Sequence, residues 1–216
     1  MRKRGRKTLA RGAAVALLLS AGMGAAVPGV AGAASRAELD ALAQKVARAE
    51  AVRDVKVLQR TYAQYAQFGQ FKKMASLFAA NGTLQWGDEV VKGRKAIEKW
   101  LEADAGAMNG IAPGSMNTTI IDNPIISLSP SGATAKGRFD SIRFMGDGQG
   151  ATRIDGGIYE NDYVLEDGAW KIARLHFYRQ FEGDYDDGWR NADGAALPVV
   201  PYHFTPNSVG VPIPPA

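Results

Sequence analysis

The stretch "KIARLHFYRQF", Lys171 to Phe181, carries one of only two histidines in the chain. Read as a strand, it sends Ile172, Arg174, His176, Tyr178 and Gln180 to one face and Lys171, Ala173, Leu175, Phe177 and Arg179 to the other. One face would then stack a guanidinium, an imidazole and a phenol. An imidazole titrates near pH ~6.5 and can carry a proton, while a guanidinium and phenols can hold developing oxyanion charge. That set suits elimination or isomerisation of a hydroxylated substrate without a metal or cofactor, so none is expected. The alternative is equally concrete: Leu175 and Phe177 face the core, and Arg174 and His176 lie on a solvated or interface surface.

The elements that must position these residues begin after a segment of a different kind. Arg2, Lys3, Arg4, Arg6, Lys7 and Arg11 precede the apolar run "AAVALLLSAGMGAAV", and Ala31-Gly32-Ala33 gives small residues at a cleavage spacing. Residues 1–33 read as a signal peptide, which makes the protein exported, periplasmic or secreted from a bacterium. The run is interrupted by glycine and followed by Pro28, so stable membrane insertion is not expected. The formal charge of +4 belongs to that leader: without it about 20 basic side chains face 22 acidic ones. No basic patch remains to suggest nucleic acid. The chain has no cysteine, which excludes thiol chemistry and disulfides, and with two histidines a multi-histidine metal site is not expected. A mature chain of about 183 residues suits one domain with its own core.

Ser35 and Glu38 form a capping box ahead of Leu39, Leu42, Val46 and Ala49, and Leu58, Tyr62 and Tyr65 extend a similar stripe, so a long helix is expected to about Gln67, where Gly69 breaks it. A short second helix places Phe71, Met74, Leu77 and Phe78 on one face and closes at Asn81-Gly82. Two short strands flank Gly87-Asp88, and a third helix carries Ile97, Trp100 and Leu101. Then "NTTIIDNPIISL", "ATAKGRFDSIRFM", "TRIDGGIYENDYVL" and "GAWKIARLHFYRQF" alternate with turn sequences, as in an antiparallel meander. Six of the ten prolines lie from Pro198 onward. That segment is either a tail or an apolar strap on this subunit or a neighbour.

The stretches "YAQYAQFGQFKKMASLFAANGTLQW", "VVKGRKAIEKWL" and "GGIYENDYVLEDGAWKIARLHFY", in this order, resemble the SnoaL-like branch of the nuclear transport factor 2-like superfamily. The resemblance implies an α+β cone with three N-terminal helices packed on a curved antiparallel sheet. It divides the chain into a helical extension (34–50), a SnoaL-like domain (51–190) and a proline-rich strap (191–216). Relatives include dehydratases, polyketide cyclases, isomerases, cofactorless lyases of lignin-derived aromatic diols and binding modules, so the site must choose among them. Where many catalytic relatives have an aspartate this chain has Gln67, which does not titrate, and where a dehydratase histidine would stand it has Thr118 and Thr119.

In this fold the "DGxWxI" pattern turns Trp170 and Ile172 inward, and unbroken alternation would carry Arg174, His176 and Tyr178 with them. The resemblance also points Tyr159 and Asn161 into the pocket. Catalytic roles are therefore expected for His176, Arg174, Tyr178 and Tyr159. Substrate contacts are expected from Asn161, Tyr62, Tyr65, Gln67, Phe68, Trp86, Trp100 and Arg143. The expected activity is a cofactor-independent lyase or dehydratase on a hydrophobic hydroxylated aromatic molecule, such as a lignin-derived diol, by quinone-methide-type elimination or deformylation. Two alternatives stand beside it, a non-catalytic small-molecule-binding module and a polyketide cyclase or isomerase. A homo-oligomer, dimer or trimer, is the expected assembly.

Overall fold

The computed structural model describes residues 34–104, 110, 112–185, 200–201 and 203–204. Residues 1–33, where a signal peptide is expected, and most of the proline-rich segment fall outside them. Helix α1 spans Arg36–Gln67, and its start is fixed as expected: Glu38 N–H donates to Ser35 Oγ at 3.3 Å and Ser35 N–H to Glu38 Oε2 at 2.7 Å. Val55, Leu58 and Tyr62 turn inward, whereas Leu39, Leu42 and Val46 are exposed. The two apolar stripes are thus not one. After the helix, Gly69 has φ of +58°, and a Cβ there would sit 2.4 Å from the Gly110 carbonyl oxygen, so only glycine fits.

Helix α2 is shorter than the sequence pattern suggests, Phe71–Ser76. Phe78 instead opens strand β1 (Phe78–Trp86), and Asn81-Gly82 lies inside that strand rather than in a turn. The tertiary reason is a parallel neighbour: β1 pairs with the last strand, where Phe78 faces Ile172 and Leu84 faces Leu175. Strand β2 (Glu89–Lys92) folds back on β1, and α3 (Arg94–Asp104) buries Ile97 and Leu101.

The meander follows as β3 (Met116–Leu128), β4 (Thr134–Gly146), β5 (Thr152–Glu166) and β6 (Ala169–Gly183). The six strands run in the order β2-β1-β6-β5-β4-β3, with β1 and β6 parallel and every other pair antiparallel. The long strands are broken by register shifts that bend a sheet and increase its twist. On β3 the shift lies at Asn123-Pro124, where Asn123 takes φ of +50° and donates through Nδ2 to Asp140 Oδ2 at 2.8 Å. The sheet's concave face closes on α1 through Tyr62, Phe78, Leu84, Phe139, Tyr159, Leu175 and Phe177.

One shift decides the orientation of the strand that motivated the chemistry. Asp162 pairs with Arg174 and Tyr163 with Ile172, which leaves Ala173 as an extra residue on β6. A bulge of one residue reverses the alternation beyond it. Ile172 and Leu175 are therefore both fully buried, Phe177 follows them inward, and Arg174, His176 and Tyr178 emerge on the convex face.

Candidate functional site

A cavity of about 570 Å³ opens between the concave face, α1 and α3. Its aromatic wall comes from three elements. Tyr62 of α1 meets Tyr159 of β5 edge-on at 6.4 Å. Trp86 of β1 stacks on Phe177 at 4.3 Å and tilts against Trp100 of α3 at 6.0 Å, with the Trp100 indole N–H donating to Glu89 Oε2 at 2.7 Å. Met74, Phe71 and Leu101 complete the apolar lining.

The polar groups sit opposite. Arg143 of β4 faces inward because Phe139, Ser141, Arg143 and Met145 alternate on the concave side. Its cross-strand neighbour Asp155, 1% exposed, accepts Arg143 Nε–H at 3.1 Å and Nη2–H at 2.5 Å. The guanidinium also lies 5.4 Å from the Trp86 ring centroid. Burial works against this cation, but the hydrogen bonds and charge of Asp155 outweigh it and keep Arg143 protonated.

Asp104, the last residue of α3, lines the cavity near its mouth. Asp104 is exposed to solvent overall, yet partial desolvation by the cavity wall raises its carboxyl above the usual range. Arg143 and Arg153 pull the other way, and Asp155 and Glu89 push with it. Burial pushes the Tyr62 and Tyr159 phenols far up, so both remain neutral donors at any physiological pH. The Arg143 charge and the Ser141 hydroxyl on the neighbouring strand act on Tyr159 in the opposite, lowering direction. Asn117 and Thr119 of β3 add neutral polar groups.

Of the residues singled out from sequence, the fold brings Tyr62, Trp86, Trp100, Arg143 and Tyr159 together in this cavity. His176, Arg174 and Tyr178 are not there. On the convex face Arg174 Nε–H donates to Asp162 Oδ2 at 2.7 Å, His176 Nδ1 lies 3.4 Å from Arg174 Nη1, and the imidazole stacks on Tyr178 at 3.9 Å. Burial, then the Arg174 charge, lowers the His176 pKa, against a raising influence of Glu160. The expectation that these three line the pocket is corrected by the Ala173 bulge.

Asn161 faces inward but is buried as structure rather than exposed to the cavity. Its Nδ2 donates to Gln59 Oε1 at 3.0 Å, its Oδ1 accepts His176 N–H at 3.1 Å, and Tyr163 OH donates to Gln59 Oε1 at 2.8 Å. Tyr65 packs beside the core under Lys73 Nζ, Gln67 ends α1 outside the lining, and Phe68 is the exposed helix cap. Sequence reasoning missed Asp104 and Asp155. The alternation that turns Arg143 inward was readable, and so was its need for a carboxylate, but strand register alone says which one.

The convex face also holds the chain's other histidine. His203 Nδ1 is 3.1 Å from Glu160 Oε2 and Nε2 is 3.2 Å from Ser127 Oγ, while Arg138 Nη1–H donates to Glu160 Oε1 at 2.7 Å. His203 is 6% exposed, so this part of the proline-rich segment is seated on its own subunit's sheet.

The SnoaL-like domain family model matches residues 47–176, more than half of the chain. The chain belongs to the SnoaL-like domain family. No curated protein matches it. Among solved structures it is similar to a protein from Novosphingobium aromaticivorans DSM 12444 provisionally assigned as a scytalone dehydratase. That similarity has TM-score 0.56 at 20% identity and covers 65% of this chain and 91% of that one. It is also similar to an NTF2-like protein with a cystatin-like fold from the same species, TM-score 0.53 at 19% identity, covering 66% and 90%. ActVI-ORFA from Streptomyces coelicolor superimposes with TM-score 0.51 at 14% identity over 59% and 95%. These likenesses establish the NTF2-like fold, and SnoaL-like domains bind small-molecule ligands. Among the described residues no group of three or more His, Asp or Glu side chains is placed to hold a metal, and no helix is long and apolar enough to cross a membrane.

Proposed function

We propose that this SnoaL-like protein is a lyase of the dehydratase type, acting on a hydroxylated aromatic molecule bound in the cone, with Asp104 and Arg143 as its working pair. The observation that carries this reading is that a carboxyl of raised pKa and a protonated guanidinium line one aromatic cavity. The aromatic body lies among Trp86, Trp100 and Tyr62. Arg143, with the neutral Tyr159 phenol as a further donor, holds the oxygen on which negative charge develops. The Asp104 carboxylate takes the proton from carbon and returns it to the departing hydroxyl, which leaves as water. Such an elimination needs no cofactor. It replaces the route through Arg174 and His176, which face the opposite side of the sheet. The provisional dehydratase assignment of one similar structure supports the class of reaction, and the basic-then-apolar start supports a location outside the cytoplasm.

The test is incubation with a panel of aromatic alcohols, aryl diols and polyketide-like ketones, following new ultraviolet absorbance and released formaldehyde. Turnover on at least one substrate should fall about 10²- to 10⁴-fold in Asp104→Asn with ligand affinity retained. Unchanged turnover in that variant would overturn the assignment. The second reading is a binding module, favoured by the bidentate Asp155 contact that already occupies one edge of Arg143. It predicts tight binding of an aromatic ligand that is recovered chemically unchanged.

A further inference from the structure

The first half of α1 presents an apolar surface that its own domain cannot use. Leu39, Leu42 and Val46 are 55%, 57% and 49% exposed, and Ala49 continues their line. In an α-helix each residue advances by about 100°, which puts this line on the side of the helix opposite to Val55, Leu58 and Tyr62, the residues that meet the core. Arg48 confirms the orientation: its Nη1–H reaches back to the Ser129 and Pro130 carbonyls at 3.2 and 3.4 Å, from the domain-facing side. The stripe therefore points away from the cone into open space. Its spacing of three, four and three residues is the a/d pattern of a coiled coil rather than that of a helix lying on a sheet.

We propose that residues 36–50 form a dimerisation helix whose partner is a second copy of this chain, packed parallel and in register through Leu39, Leu42, Val46 and Ala49. The flanking charges select this arrangement. With these a/d assignments Lys45 occupies a g position and Glu50 the following e position, so each Lys45 meets Glu50 of the other copy on both sides of the seam. An antiparallel pairing of the same four layers would set Lys45 against Lys45. Arg53 takes the next a position and is exposed, so like charges end the seam where the domains begin. Because the stripe lies opposite the core-facing side of α1, this pairing puts the two domains on the outer sides of the helix pair.

The absence of cysteine makes this directly testable. Protein expressed from the full sequence should sediment as a dimer. Leu42→Cys, at a d position, should form an intermolecular disulfide under mild oxidation at least about tenfold faster than Asp40→Cys on the opposite side of the same turn, because the bond requires Cβ atoms within ~4 Å. Leu42→Glu combined with Val46→Glu should sediment as a monomer with unchanged helical content and unchanged ligand binding in the cone. A monomeric parent protein, a dimer indifferent to the double substitution, or equal cross-linking at positions 40 and 42 would each overturn the proposal.

Discussion

Arg143 and Asp155 hold each other in the cavity wall, with Arg153 as a second, longer contact of the carboxylate. Asp155 is 1% exposed, so Arg143→Ala would strip a buried carboxylate of its bidentate partner and leave it only the longer Arg153 contact at 3.5 Å. The expected cost is about 3–5 kcal/mol, read from denaturant unfolding, whereas Arg143→Lys should recover part of it. Asp104 can be removed with less damage, since solvent reaches it, and its titration is the functional signature. Its folded pKa is raised, so the carboxylate form appears only above the ordinary carboxylate range. If Asp104 is the base, kcat/KM should rise with pH through that elevated value, and the step should vanish in Asp104→Asn. His176 gives the opposite control. Arg174→Ala should raise its pKa, visible in an NMR titration, and leave ligand handling in the cone unchanged, because both side chains lie on the convex face.

At the scale of elements, β6 shows how one residue can exchange the two faces of a strand. The composition of Lys171–Phe181 permits either orientation, since both faces carry enough apolar surface to be buried. The choice is made across the sheet. Asn161 accepts the His176 N–H, and Leu84 and Tyr159 pack opposite Leu175 and Phe177. Periodicity cannot contain that information, because a bulge is specified by the partner strand as much as by the bulged one. The helices were easier to read. The capping box at Ser35, the Gly69 stop and the apolar face of α3 are local signals acting within a turn or two. The convex-face contact of His203 belongs to this scale as well. His203→Ala should cost about 1–3 kcal/mol by leaving the buried Ser127 hydroxyl without its ring partner and Glu160 with Arg138 alone. Thermal or chemical unfolding would measure it, and faster proteolysis near the C-terminus should accompany it.

For the whole molecule, the convex face behaves as a charge lattice whose contribution depends on pH. Burial raises the Asp162 carboxyl, but its bonds to Lys136 Nζ and Arg174 Nε, both at 2.7 Å, outweigh that and lower it overall. A depressed carboxylate contributes stability that is present above its unfolded value of about 3.9 and is lost as pH falls through the folded value. Acid unfolding of Arg174→Ala should accordingly begin at a higher pH than that of the parent protein, as followed by circular dichroism. Sequence alone determined the α+β class, the order of three helices and a meander, the family resemblance, and the exclusion of thiol chemistry, because these rest on composition and on short-range periodicity. It also singled out Tyr62 and Trp100 on helices and Trp86, Arg143 and Tyr159 on strands, alongside His176, Arg174 and Tyr178, which the fold places elsewhere. Only the tertiary structure could decide that β1 runs parallel to β6, that Ala173 turns His176 away from the cavity, and that Asp104 and Asp155 join Arg143 there. Each depends on contacts between residues far apart in the chain, where register and burial are set jointly and no single segment carries the answer.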